Sequence, residues 1–171
     1  MAKANLEEVA ASESLELRVQ LAALLDGGQA HATFEDAVKD FPVALRDVVP
    51  EGLPYSAWQL VEHIRIAQQD ILEFSAPPTG GYQEKPWPDA YWPKNPEPPT
   101  EDAWDRAVAE IEADKKKFRA LIEKPGADLA RPFRWGNGQN LLREALLIAD
   151  HNAYHVGELV MLRRLLGIWK K

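Results

Sequence analysis

The chain has 171 residues, 46% hydrophobic and 27% charged, with a net charge of −7 and no cysteine. This is the length of one domain, expected over residues 1–171, with enough apolar material for a core. The absence of cysteine excludes disulfides, thiolate metal sites and a cysteine nucleophile, and the acidic balance argues against nucleic acid, whose binding rests on neutralising phosphates.

The N-terminus, MAKANLEEVAASESLELRVQ, carries acids where a signal peptide has its apolar stretch. No apolar run approaches the ~20 residues of a membrane span. A soluble cytoplasmic protein without membrane contact is expected. The first helix is expected from about Leu6 to Leu25. Its apolar side is Leu15, Leu17, Val19, Leu21, Leu24 and Leu25, and Gly27-Gly28 stops it. A shorter helix follows from about Phe34 to Val48. Thr33 is its candidate cap, Asp36 answers in the capping-box position, and Pro42 kinks or breaks it.

The second long helix begins after Pro54, where Ser56 and Gln59 have capping-box spacing. Leu60, Ile64, Ala67, Ile71 and Phe74 mark its core stripe, and Pro77-Pro78 ends it. From Ala76 to Pro99 the chain holds eight of its thirteen prolines together with Tyr82, Trp87, Tyr91 and Trp92. Such a segment is neither helix nor central strand. Its aromatic rings predict an ordered loop packed on the bundle as a lid. Thr100 is the expected cap of the third long helix, whose buried side is Trp104, Ala107, Ile111, Phe118 and Ile122. The run Lys115-Lys116-Lys117, flanked by Glu110, Glu112, Asp114 and Glu123, reads as a solvated, salt-bridged face. Residues 127–139 form a loop with a turn at Trp135-Gly136-Asn137-Gly138. The last helix spans about Asn140 to Leu166, and Arg163-Arg164 oppose the negative end of its dipole. No stretch alternates as a strand. The fold class is all-α: a four-helix bundle with an extra short helix and a long Pro/Trp-rich loop.

Four histidines exist: His31, His63, His151 and His155. His151 and His155 are four apart on the last helix, so their rings leave one face a turn apart. Leu147 and Leu159 place that face toward the core. His63 lies three residues after Leu60 and four before Ala67, and also points inward. Two readings follow from the residues. The rings are either core imidazoles hydrogen-bonded to the backbone, or joint ligands of zinc, nickel, copper or ferrous iron. The spacing itself specifies no metal, because HNAYH lacks the glutamate of the HExxH helix. His31 precedes the Thr33 cap in a polar stretch and reads as a surface or cap residue. Asp70 lies one heptad after His63. It either orients a histidine or binds a neighbouring helix. Tyr154 reaches the pocket rim or packs on a neighbour, while Glu62 and Asp150 point to other faces. Trp58, Trp87, Trp92 and Trp135 line an apolar mouth or fill the core.

The segments PYSAWQLVEHIRIAQQDILEF and DHNAYHVGELVMLRRLLG resemble the DinB-like superfamily of bacterial helical bundles. Gly-Gly-Gln-Ala-His-Ala-Thr-Phe-Glu-Asp-Ala resembles one branch of it. The likeness spans about residues 10 to 167. It implies a bundle with an atypical connection and a divalent metal held by His63, His151 and His155. Nickel or zinc is expected, with iron or manganese as further candidates. Gly157 falls on the family's small residue two positions past the second histidine. The family name refers to DNA damage induction, not to DNA binding. Characterised relatives include transferases and isomerases that use low-molecular-weight thiols such as mycothiol or bacillithiol. The resemblance therefore implies a thiol-dependent transferase, or a hydrolase, acting on a small molecule as a homodimer. The alternative is a non-catalytic metal-binding bundle in stress response or sensing.

Overall fold

The structure is a computed structural model that describes residues 2–169. It contains five α-helices in chain order: α1 (Ala2–Asp26), α2 (Phe34–Val38), α3 (Ala57–Ser75), α4 (Ala103–Glu123) and α5 (Leu141–Leu165). Short 3-10 turns lie at Val43–Leu45 and Asp89–Tyr91. No strand occurs among the described residues, and no helix there is long and apolar enough to cross a membrane. The four long helices form the bundle. α3 packs on α4 and α5, α1 packs on the same two helices, and α2 lies against α5.

Local chemistry explains the element ends. α1 stops where Gly27 and Gly28 take φ values of 74° and 77°. At Gly28 a side chain is excluded twice, because its Cβ would also lie 2.8 Å from Thr33 Cγ2. Thr33 then caps α2. Its hydroxyl accepts from the Asp36 N–H at 3.0 Å, and Asp36 accepts from the Thr33 N–H at 3.1 Å. The short helix is broken rather than kinked, ending at Val38. Pro42 has no N–H to continue the ladder, so only the 3-10 turn at Val43–Leu45 follows it. Arg163 has a larger role here than opposing a dipole. It is buried, and its guanidinium donates to the carbonyls of Ala37 (3.0 Å) and Lys39 (2.8 Å). Those are carbonyls that the end of α2 leaves without helical partners.

The capping box at Ser56 and Gln59 forms as the spacing predicts. Thr100, by contrast, does not cap α4. Its hydroxyl is engaged by Asp102 Oδ1 at 2.7 Å, and the helix starts at Ala103 without a side-chain cap. Asn140 caps α5, accepting from the Arg143 N–H at 2.9 Å. The lysine run carries the expected ion pairs: Lys115 with Glu35 and Glu112, and Lys117 with Asp114.

Two apolar clusters make the core. One joins α2, α3, α4 and the C-terminal half of α5 through Phe41, Trp58, Leu60, Ile64, Trp104 and Leu159. The other joins α1, α4 and the start of α5 through Leu25, Phe118, Ile122, Leu141 and Ile148. The expected apolar side of α1 needs correction. Leu21 and Leu25 are buried, but Leu15, Leu17, Val19 and Leu24 are exposed. Those six leucines and valines span more of the helix circumference than one packing stripe can cover.

Candidate metal centre

α3 carries His63, and α5 carries His151 and His155 one turn apart. The two helices pack together so that the three rings meet. Ligand-capable atoms of all three lie within 4.8 Å of one another. His63 Nε2 is 3.1 Å from His155 Nε2 and 3.1 Å from His151 Nε2. His63 and His155 are 2% and 6% exposed, and His151 is half-buried.

The far sides of the His63 and His155 rings fix their tautomers. His63 Nδ1 lies 2.8 Å from the Tyr91 carbonyl. His155 Nδ1 lies 2.6 Å from a Glu158 carboxylate oxygen. Both oxygens are acceptors, so in the neutral rings both Nδ1 atoms carry the proton and donate. The Nε2 atoms are then lone-pair donors facing one another, with no proton to share. His151 leans the same way, with Nδ1 3.4 Å from Asn152 Oδ1. Lone pairs aimed at one point repel unless a cation stands there. For ligand bonds of ~2.0–2.2 Å at angles of about 90–110°, neighbouring nitrogens sit about 2.8–3.6 Å apart. The observed 3.1 Å separations fall in that range. The donor set therefore fits a divalent metal, and three nitrogens leave coordination positions for small ligands.

The surroundings keep the rings neutral. Burial pushes His63 down to about 4. The Tyr91 carbonyl opposes this, and the neighbouring His155 and His151 reinforce it. Burial, with His151 beside it, also pushes His155 down to about 4. His151 is lowered too, mainly by burial, against opposing contributions from Asn152, Asp150 and Glu158. Burial raises the Glu158 carboxyl.

Trp92 forms the roof. Its ring stacks on His63 with centroids 3.7 Å apart and 6° between planes. Tyr55 stacks on Trp92 at 4.0 Å. The proline-rich segment thus lies over His63 through Tyr91 and Trp92. The other candidates fall elsewhere. Tyr154 meets the edge of His155 at 4.9 Å but is otherwise exposed. Trp58 is core, Trp87 is exposed, and Trp135 stacks on Phe133 with its indole N–H on the Phe74 carbonyl. Glu62 pairs with Arg65, Asp150 is exposed, and Asp70 touches no histidine. His31 is exposed beside the Ala32 carbonyl. A Cβ at Gly157 would meet nothing within 4 Å, so packing does not demand glycine there.

Four residues beside the histidines were not among the expected site residues: Glu158, Tyr91, Gln68 and Asn152. Glu158 stands at helical spacing from His155 and was legible as a neighbour. The Tyr91 carbonyl is backbone and leaves no trace in the sequence. Gln68 and Asn152 pair at 2.7 Å behind His151, and Gln68 also donates to the Ile111 carbonyl. Asn152 also lines a cavity of about 210 Å³ bounded by the end of α1, the loop that follows it, α4 and α5.

A helical bundle with three imidazoles converging from two neighbouring helices defines a candidate metalloprotein. The DinB superfamily model matches residues 28–159, so the chain belongs to the DinB superfamily. Comparison with curated proteins and with solved structures gives no match.

Proposed function

We propose that this protein is a divalent-metal enzyme acting on a small molecule, with His63, His151 and His155 as the metal ligands. The observation that carries the reading is the 3.1 Å meeting of Nε2 atoms whose rings are turned by proton donation on the far side. A bound metal of this kind acidifies water or holds a thiolate, making a nucleophile at neutral pH. The chain has no cysteine of its own. Sulfur chemistry would therefore use a low-molecular-weight thiol as substrate. A thiol-dependent transferase is the reading we favour, with hydrolysis as the variant in which water takes the thiol's place. Nickel or zinc suits three imidazoles best, with iron and manganese as candidates for a site completed by oxygen ligands.

In this reading the chain's residues act as follows. Tyr91 O and Glu158 hold two of the ligand rings in the metal-binding tautomer, and Trp92 shields His63 from water. Half-buried His151 and exposed Tyr154 mark the side from which a substrate enters. The homodimer and cytoplasmic location belong to the same proposal. The exposed leucines support the dimer: Leu24 of α1 and Leu146 of α5 line one shallow groove. Sedimentation at several concentrations tests it, and a strictly monomeric species removes it.

The functional test is a panel of small thiols and electrophiles incubated with zinc- or nickel-loaded protein, read by mass spectrometry of conjugates. Turnover that disappears on chelation and returns with metal supports the enzyme. The close cover of Trp92 over His63 favours the alternative, a non-catalytic metal-binding bundle. That alternative stands if metal raises thermal stability while no thiol or ester in the panel turns over.

A further inference from the structure

The proline-rich segment is fastened to one face of α3 along almost its whole length. Ser56 donates to the Pro96 carbonyl at 2.6 Å, and Gln59 donates to the Pro93 carbonyl at 3.0 Å. His63 donates to the Tyr91 carbonyl at 2.8 Å. Positions 56, 59, 63 and 70 follow helical spacing, so all four fall on the same side. Asp70 is the last of them. It is 8% exposed, which is unusual for a carboxylate without compensation. Three donors compensate it, and all three come from the segment. Tyr91 OH lies 2.7 Å from Oδ2, Lys85 Nζ lies 2.9 Å from Oδ1, and Tyr82 OH lies 3.1 Å from Oδ2. Burial and the Asp70 charge raise both tyrosines, so each hydroxyl stays protonated and donates.

Tyr91 is the junction. Its hydroxyl is held by Asp70, and its carbonyl holds the His63 ring. The next residue, Trp92, stacks on that same ring. Where the Tyr91 carbonyl sits decides which nitrogen of His63 carries the proton and where Nε2 points. On the C-terminal side the Trp92 stack and the Gln59 hydrogen bond to Pro93 hold the segment, and Asp70 anchors the Tyr91 side chain itself.

We propose that Asp70 is a positioning residue for His63, acting through Tyr91 to set the ring for metal binding. The proposal rests on the reading of His63, His151 and His155 as metal ligands. Outer partners of ligating imidazoles typically contribute about 10–100-fold to metal affinity. Asp70 acts one step further out, so a loss of about tenfold is expected. Ion pairing of Lys85 with Asp70 and Glu73 alone would produce no such effect.

The test is titration of the full chain with cobalt(II), followed by absorbance, with zinc competition to obtain dissociation constants. Asp70→Ala and Tyr91→Phe should each bind about tenfold more weakly than the unaltered protein. Asp70→Asn keeps an acceptor oxygen for the tyrosines and should recover part of the loss. Tyr91→Phe removes one hydroxyl and leaves the carbonyl, so it decides the matter even if Asp70→Ala does not fold. Leu21→Ala loosens the core at α1, which carries none of these residues, and should leave cobalt affinity unchanged. Unaltered affinity in Tyr91→Phe, or an equal loss in Leu21→Ala, overturns the proposal while the metal site stands. An unaltered protein that binds neither cobalt nor zinc overturns the metal reading, and this proposal with it.

Discussion

Acid should weaken the metal-free protein as pH falls from neutrality towards 4, through the buried histidines. The perturbation is a titration from pH 7 to pH 4 in the presence of chelator. His63 and His155 titrate near 4 in the folded chain, because burial disfavours the charged ring and the clustered imidazoles repel a second charge. In the unfolded chain a histidine titrates at ~6.5. Between those values the unfolded state binds the proton and the folded state does not. Stability therefore rises with pH across this window and is lost as pH falls through it. One histidine moved from ~6.5 to about 4 changes stability by on the order of 3 kcal/mol by the bottom of the window. The two rings interact, so their contributions do not simply add. Urea unfolding followed by circular dichroism at half-unit pH steps measures the slope. His63→Gln removes one titrating ring and should flatten the curve. A stability that is level from pH 7 to pH 5, or that increases on acidification, would refute the claim that these rings are buried and neutral.

The remaining predictions concern packing, capping and the roof. Phe118 is fully buried in the cluster of α1, α4 and α5, and Phe118→Ala should cost about 3–5 kcal/mol in chemical denaturation. Ser56→Ala removes both the α3 cap and the hydrogen bond to Pro96, so a loss of about 1–2 kcal/mol is expected. A loss within error would show that the segment is not held there. Glu158→Ala should weaken zinc binding about tenfold by freeing the His155 ring, measured by competition with a chromophoric chelator. Trp92 stacks on His63, so metal binding should change the intrinsic fluorescence, and Trp92→Phe should abolish most of that change. An undiminished signal in Trp92→Phe would place its source in another tryptophan.

The fold was largely legible because its signals are local. The box at Ser56 and Gln59, the glycines after α1 and the prolines after α3 each act within a few residues. The phases of His63, His151 and His155 were legible for the same reason: helical periodicity carries direction. What sequence could not give was depth. The apolar residues of α1 were too many for one stripe, and only the neighbours α4 and α5 determine that Leu21 and Leu25 go inward. Thr100 has the chemistry of a cap, yet its hydroxyl is taken by Asp102, a competition that spacing does not reveal. The Asp70 and Tyr91 link was hidden for a third reason. Asp70 shares a helix face with His63 but reaches it only through a backbone carbonyl that a loop delivers from 28 positions along the chain.

The central claim is tested most directly by metal content and ligation in protein purified without a histidine tag. Elemental analysis, with X-ray absorption of the loaded protein, should give one divalent metal per chain bound by three imidazole nitrogens at ~2.0–2.2 Å. His63→Ala, His151→Ala and His155→Ala should each lose that metal, and His31→Ala should keep it. Equal metal content in the unaltered protein and in all three ligand variants would contradict the account.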